Sequence, residues 1–268
     1  MSTSKAVSPS PVPTKAPSPT SGQLLFYQCP EALTPAQHGT LQLKKEGDFG
    51  FARLSNSVAI TSTEFVAAMR SYPIVFATQG AHPLAVLGLE QTNLFVEENG
   101  HWRAGHYVPA YMRRYPFVFI AHPDGKQFVL GIDRACKRLT EKSENALPLF
   151  EDGKPALVTQ EALRFCGAFQ TDHGFTMAFA QALEEQKLLI DNQAQAQLPG
   201  GRMVNLQGFR VMDRQKFASL PEAVVVDWHR KGWLALVHYH LASLERFTAL
   251  LELQGMAQPV SSNAATSR

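Results

Sequence analysis

"MRSYPIVF" occupies Met69–Phe76 and "MRRYPFVF" occupies Met112–Phe119, so one chain spells nearly the same eight residues twice, 43 positions apart. Laying residues 67–90 on residues 110–133 without a gap pairs Ala67/Ala110, Met69/Met112, Arg70/Arg113, Tyr72/Tyr115, Pro73/Pro116, Val75/Val118, Phe76/Phe119, Val86/Val129, Leu87/Leu130 and Gly88/Gly131. That is ten matches in 24 positions, against about one or two from background composition. Two separated clusters at one constant offset point to a duplicated structural unit.

Each copy has its own grammar. In the first, "STEFVAAMR" offers Ser62 or Thr63 as a helix N-cap, with Glu64 in the first turn and Phe65, Val66 and Met69 at helical spacing. Pro73 pushes Tyr72 out of the α region and ends that helix. "IVFATQ" then reads as a buried strand, "GAHP" as a turn and "LAVLGLE" as the returning partner. The second copy repeats the hairpin as "FVFIAH", "PDGK" and "QFVLGID". Upstream, Pro109 and the β-rich "HYVPAYM" do not suit a full helix, so the common unit reads as a hairpin behind a Tyr-Pro hinge. Two functions suit the pair. Both hairpins pack into one core, or the two Arg-x-Tyr-Pro corners meet near a pseudo-twofold axis and build a polar pocket, where arginine offers bidentate anion recognition beside an aromatic wall.

Composition bounds what surrounds the repeat. The chain has 268 residues, 45% hydrophobic and 18% charged, with formal net charge +2. It is ordinary globular material without the concentrated basic footprint of a nucleic-acid binder, since no basic run exceeds Lys44-Lys45 or Arg113-Arg114. Cys29, Cys136 and Cys166 are too few and scattered for a disulfide framework and read as buried small hydrophobes in a reducing compartment. Residues 1–22, rich in Ser, Thr, Pro, Ala and Lys, read as a disordered tail, and residues 255–268 as another. Residues 23–254 are expected to form a single unit, strand-rich over 40–135 and helix-rich over 155–252. There is no secretory apolar stretch and no run near the ~20 residues of a membrane span, so a cytoplasmic location without membrane insertion is expected.

Between the hairpins, "NLFVEENGHW" reads as a further hairpin turning at Asn99-Gly100. Trp102, Tyr107 and Tyr111 follow closely, as a core wall or the side of a groove. Beyond residue 155 the pattern turns helical. One amphipathic segment carries Leu157, Ala162, Leu163, Phe165, Cys166 and Phe169, and "FTMAFAQALEEQKLL" gives a second from Phe175. "GGRMVNLQGFRVMD" reads as a strand pair or one bent strand, Asp213 as the cap of a short helix, and Leu220-Pro221-Glu222 as the start of another, punctuated by Gly232. A last helix from Trp233 carries the stripe Trp233, Val237, Leu241, Leu244 and Leu251, with Glu245 and Glu252 on its wetter side.

No motif names a reaction. His101 and His106 stand five apart across a turn, and His238 and His240 face different ways on one helix, so no metal site is indicated. His240, on the apolar stripe, is expected as a buried neutral imidazole with one hydrogen bond. Glu90 and Asp133 end equivalent strands and in principle share acid and base duties, although strand-end carboxylates are usually solvated. There is no GxSxG elbow, P-loop or GxGxxG, and no cofactor is implied.

In order and spacing, "EFVAAMRSYPIVF", "LGLEQTNLFVEENGHW", "YVPAYMRRYPFVF", "LGIDRA", "PLFEDGKP", "ALRFCGAFQ", "GFRVMDRQKFASLP" and "GWLALVHYHLASLERF" resemble the SapC family of bacterial proteins across roughly residues 40–252. The family takes its name from a crystalline surface layer, and some members carry a peptide-permease label. The resemblance therefore implies handling of peptides, small molecules or envelope components. The expectation is an α+β protein, its strand-rich N-terminal half built on duplicated hairpins and its C-terminal half rich in helices. It would act as a non-catalytic binding or adaptor protein for an unknown protein, peptide or small-molecule partner. The alternatives are an enzyme with a site between the repeats and a structural surface-layer component. The candidate ligand residues are Arg70, Tyr72, Trp102, Tyr107, Tyr111, Arg113, Arg114 and Tyr115.

Overall fold

A computed structural model describes residues 24–121, 127–198 and 203–256. The tail readings fall wholly or mostly outside them, as does the whole of the "PDGK" turn. The first hairpin, Ile74–Ala77 with Pro83–Val86, sits inside a five-stranded sheet. On one side it pairs with Ser57–Ala59 and on the other with Met203–Met212, which carries Leu189–Gln197 at the edge. Every pairing is antiparallel. The second hairpin, Phe117–Ala121 with Phe128–Asp133, belongs to a separate three-stranded sheet closed by Pro30–Ala32. A small sheet of Gln42–Lys44 between Leu139–Thr140 and Ala146–Pro148 lies nearby in the order of the chain. The protein is α+β, strand-rich in its N-terminal half and helix-rich toward the C-terminus.

The two hairpins do not share one core. Ile74, Val75, Phe76 and Val86 belong to the larger buried cluster, with Phe179, Leu183, Trp228 and Val237, whereas Phe117, Leu130 and Ile132 belong to a second with Leu41, Leu149 and Cys166. One helix, Leu157–Glu185, joins them. Its first half places Ala162 and Cys166 in the second cluster and its last turns place Phe179, Ala182 and Leu183 in the first. At 1.5 Å per residue it is a beam of about 43 Å. The two amphipathic segments expected here, the second from Phe175, are one helix that runs through Gly167 and Gly174, each costing about 1 kcal/mol relative to alanine. Packing at both ends overrides that cost. Leu157 and Leu163, expected on the inner face, are 65% and 49% exposed.

Other expectations change with similar causes. A one-turn helix precedes both hinges, Phe65–Ala68 and Ala110–Arg113, because Pro109 caps the second rather than interrupting it. The cap of the first is Thr61, not Ser62 or Thr63, in a capping box with Glu64. "NLFVEENGHW" forms a single bridge, Val96 to Trp102, rather than a ladder. Strand Leu189–Gln197 has little sequence signal, since "LIDNQAQAQ" is mostly polar and lacks β-branched alternation. The expected last helix is two, Trp233–Ser243 and Arg246–Met256. At the break, the buried Ser243 hydroxyl donates to the His240 carbonyl at 2.6 Å, competing with the helix ladder. Asp213 caps Arg214–Ala218 by accepting from the Gln215 and Lys216 amides. Cys136 and Cys166 are buried, but Cys29 is exposed.

Candidate functional site

Glu64 builds the junction between the hinges. It is 5% exposed, and its carboxylate accepts from the Thr61 amide at 2.7 Å and hydroxyl at 3.0 Å, the Tyr107 hydroxyl at 3.1 Å and the Ala110 amide at 2.7 Å. Thr61 opens the first hinge helix and Ala110 the second. One carboxylate therefore satisfies orphan amides of both, where the helix dipole favours negative charge. The Thr-x-x-Glu spacing of residues 61–64 is the sequence signal for it, with the cap at Thr61 and not at Ser62 or Thr63.

Tyr107 bridges the same two hinges. Its amide donates to Ser71 Oγ at 3.1 Å, its carbonyl accepts from the Tyr72 hydroxyl, and its own hydroxyl accepts from Arg113 at 2.9 Å. Burial first, then Glu64, pushes its phenol up to about 12. Tyr72 is fully buried and also accepts from Trp102 Nε1 at 3.2 Å. Its hydroxyl is consumed inside the protein and presents nothing to a ligand. Trp102 continues through Phe49 at 5.3 Å to Phe51 at 6.2 Å, which stacks on Tyr115 at 4.2 Å. The hinges thus meet through an aromatic layer, not around an open polar pocket.

Tyr115 has its own partner. Its hydroxyl donates to Asp133 at 3.1 Å, and burial raises its pKa. Asp133, expected at a solvated strand end, is wholly buried and also accepts from the Gln28, Cys29 and Ala135 amides. Glu90 lies past the end of its strand and accepts from Gln254 at 3.0 Å. The two carboxylates occupy different sheets' margins and do not form an acid–base pair. Arg70 is exposed and stands apart from the network.

What remains open to a ligand is the outer side of the second hinge, where it crosses the long helix. Arg113 donates to the Val108 carbonyl at 3.0 Å and to Tyr107, and lies 5.2 Å from the Phe165 ring. Arg114, half-buried, lies 4.1 Å from the centre of the Tyr111 ring, 4.5 Å from Phe169 and 5.7 Å from Tyr27. Tyr27 donates to the Phe117 carbonyl at 2.6 Å and Tyr111 to the Leu25 carbonyl at 3.3 Å. Burial raises both phenols, and Arg114 pulls them down. The chain matches the SapC family over residues 33–250.

It belongs to the SapC family.

The matched span takes in both hinges, the long helix and every residue of this surface except Tyr27 and Leu25. No curated protein and no solved structure matches the chain. Among the described residues no group of three His, Cys, Asp or Glu side chains is placed to hold a metal ion, and no helix is long and apolar enough to cross a membrane. This SapC chain also has a groove of about 340 Å³ elsewhere, between the end of the long helix and residues 223–233. Its walls are committed to the protein itself. Trp228 is 2% exposed, and Lys231 is held by Asp227 at 2.7 Å while lying 4.6 Å from the Trp233 ring. The arginine–aromatic surface is the better site because its cations are not paired to carboxylates among the described residues.

Proposed function

We propose that this SapC protein is a non-catalytic binding or adaptor protein, whose peptide, small-molecule or envelope-component ligand rests where the second hinge crosses the long helix. One observation carries the reading: Tyr27, the Tyr111–Arg114 corner and the Phe165–Phe169 turn come from three separate parts of the chain and converge into one surface of rings around two guanidinium groups. Aromatic and arginine side chains are the residues most enriched at binding hot spots. The titratable groups near them serve structure, since Glu64 caps helices and Tyr107 braces the hinges.

A photo-crosslinking residue placed at Phe165 in cells tests this. It should capture a partner that the same residue at Phe128, 55% exposed on the second hairpin, does not capture. The same adducts at both positions, or none at Phe165, would overturn the proposal.

A further inference from the structure

Resting on that reading, we infer that Arg114 holds the anion of the ligand, and that this anion is a carboxylate borne on an aromatic or aliphatic body. Three other arginines of the fold have oxygen partners. Arg210 is clamped by Glu184 at 2.5 and 3.1 Å and by the Ala77 carbonyl, Arg138 donates to the Lys44 carbonyl, and Arg113 is tied to Val108 and Tyr107. Arg114 is different. Its Nε, like that of Arg138, is buried without a hydrogen-bond partner, but no backbone carbonyl or carboxylate among the described residues holds the rest of its fork, which lies against three rings and the phenols of Tyr27 and Tyr111.

No protein carboxylate supplies the missing charge among the described residues. Glu64 is committed to Thr61, Tyr107 and Ala110, Asp172 to Thr63, and Asp133 to Tyr115 and backbone amides. Burial pushes the Cys166 thiol up to about 11, so it is neutral beside Arg114. His173, lowered by burial first and then by His82 and Arg114, adds no negative charge. A half-buried guanidinium left without a counter-ion is a standing receptor for one, because buried charge is normally paired. A planar fork flanked by rings suits a planar carboxylate. A phosphate dianion would call on a second free cation, and Arg113 is occupied by its own contacts. The flanking Tyr111, Phe165 and Phe169 rings then receive the apolar body attached to the carboxylate.

The test uses the full chain and two matched probes, N-acetyl-phenylalanine and its uncharged amide, titrated by protein-observed NMR. The acid should shift signals around Tyr111, Phe169 and Arg114 saturably, and the amide should bind at least about tenfold more weakly. Arg114→Gln should lose the acid's binding by a similar factor, while Arg70→Gln, at the exposed position of the first hinge, should leave it unchanged. Should Arg114→Gln fail to fold, Arg114→Lys, which keeps the charge and loses the fork, should still weaken the acid. Equal binding of acid and amide would overturn the anion assignment while leaving the site itself standing. Saturable shifts elsewhere, or none from either probe up to about 10 mM, would remove the assignment altogether.

Discussion

His240 makes stability depend on pH in a direction that the structure fixes. It is wholly buried on the helix Trp233–Ser243, where its Nδ1 faces the Ile74 carbonyl at 2.8 Å and its Nε2 faces the Met212 amide at 3.1 Å. Met212 N–H can only donate, so Nε2 accepts and the proton sits on Nδ1. The ring is neutral, as its place on the apolar stripe implied, with two hydrogen bonds rather than the one expected. Protonating Nε2 would set two donors against each other in a buried site. Burial chiefly, with Arg214 adding to it and the Ile74 bond opposing, lowers the pKa from 6.5 to about 4. Between those values the unfolded chain binds a proton that the folded chain refuses. The contribution is therefore complete above about pH 6.5, is lost as pH falls toward 4, and changes no further below that. That lowering corresponds to about 3 kcal/mol, most of it lost between about pH 7.5 and about pH 4.5. Urea unfolding of the native chain and of His240→Gln at those two pH values isolates it, since His106 and His173 titrate alike in both proteins. The gap between the two stabilities should shrink by about 2–3 kcal/mol at the lower pH. A gap of the same size at both would refute the reasoning.

Three further predictions concern the frame. Glu64→Gln leaves one acceptor oxygen for four donors and should cost about 2–4 kcal/mol in urea unfolding; a loss under about 0.5 kcal/mol would remove Glu64 as the shared cap. Gly88→Ala should destabilise more than Gly131→Ala, because the new Cβ would lie 1.9 Å from the Thr92 carbonyl oxygen in the first case and meets chiefly the movable end of Ile120 in the second; equal losses would contradict this. Gly167→Ala and Gly174→Ala, where a Cβ meets nothing within 4 Å, should each raise stability by about 0.5–1 kcal/mol, and a fall in midpoint for either would mean that the long helix needs its glycine.

Local chemistry was legible wherever one residue decides it. Tyr-Pro ends both hinge helices, Asp213 caps its helix, Pro221 opens the next, and Gly232 at φ 73° separates two more. What could not be read depends on distant partners. The polar strand Leu189–Gln197 exists because Met203–Met212 pairs with it, and the long helix survives two glycines because two separate cores hold its ends. Asp133 looked like a solvated strand end because nothing in its neighbourhood of sequence announces that residues 28 and 29 will donate to it.

The repeat itself shows how far identity of sequence carries identity of contact. Ile74 pairs with Ala85, so at the offset of 43 the equivalent Phe117 should pair with residue 128; it pairs with Ile132, four further on. A shift by an even number keeps each side chain on its own face of the sheet, so the apolar pattern tolerates it. The paired glycines accordingly press against different neighbours. The matched tyrosines are struts in both copies, one donating to the Tyr107 carbonyl and the other to Asp133. The asymmetry lies at the mismatch between them. Position 71 is a serine whose hydroxyl accepts from the Tyr107 amide, while its equivalent, 71 + 43 = 114, is the arginine among three rings. Matching residues preserved a hinge that can be built twice, and the one difference between "MRSYP" and "MRRYP" gives the second hinge a charge that no carboxylate among the described residues neutralises.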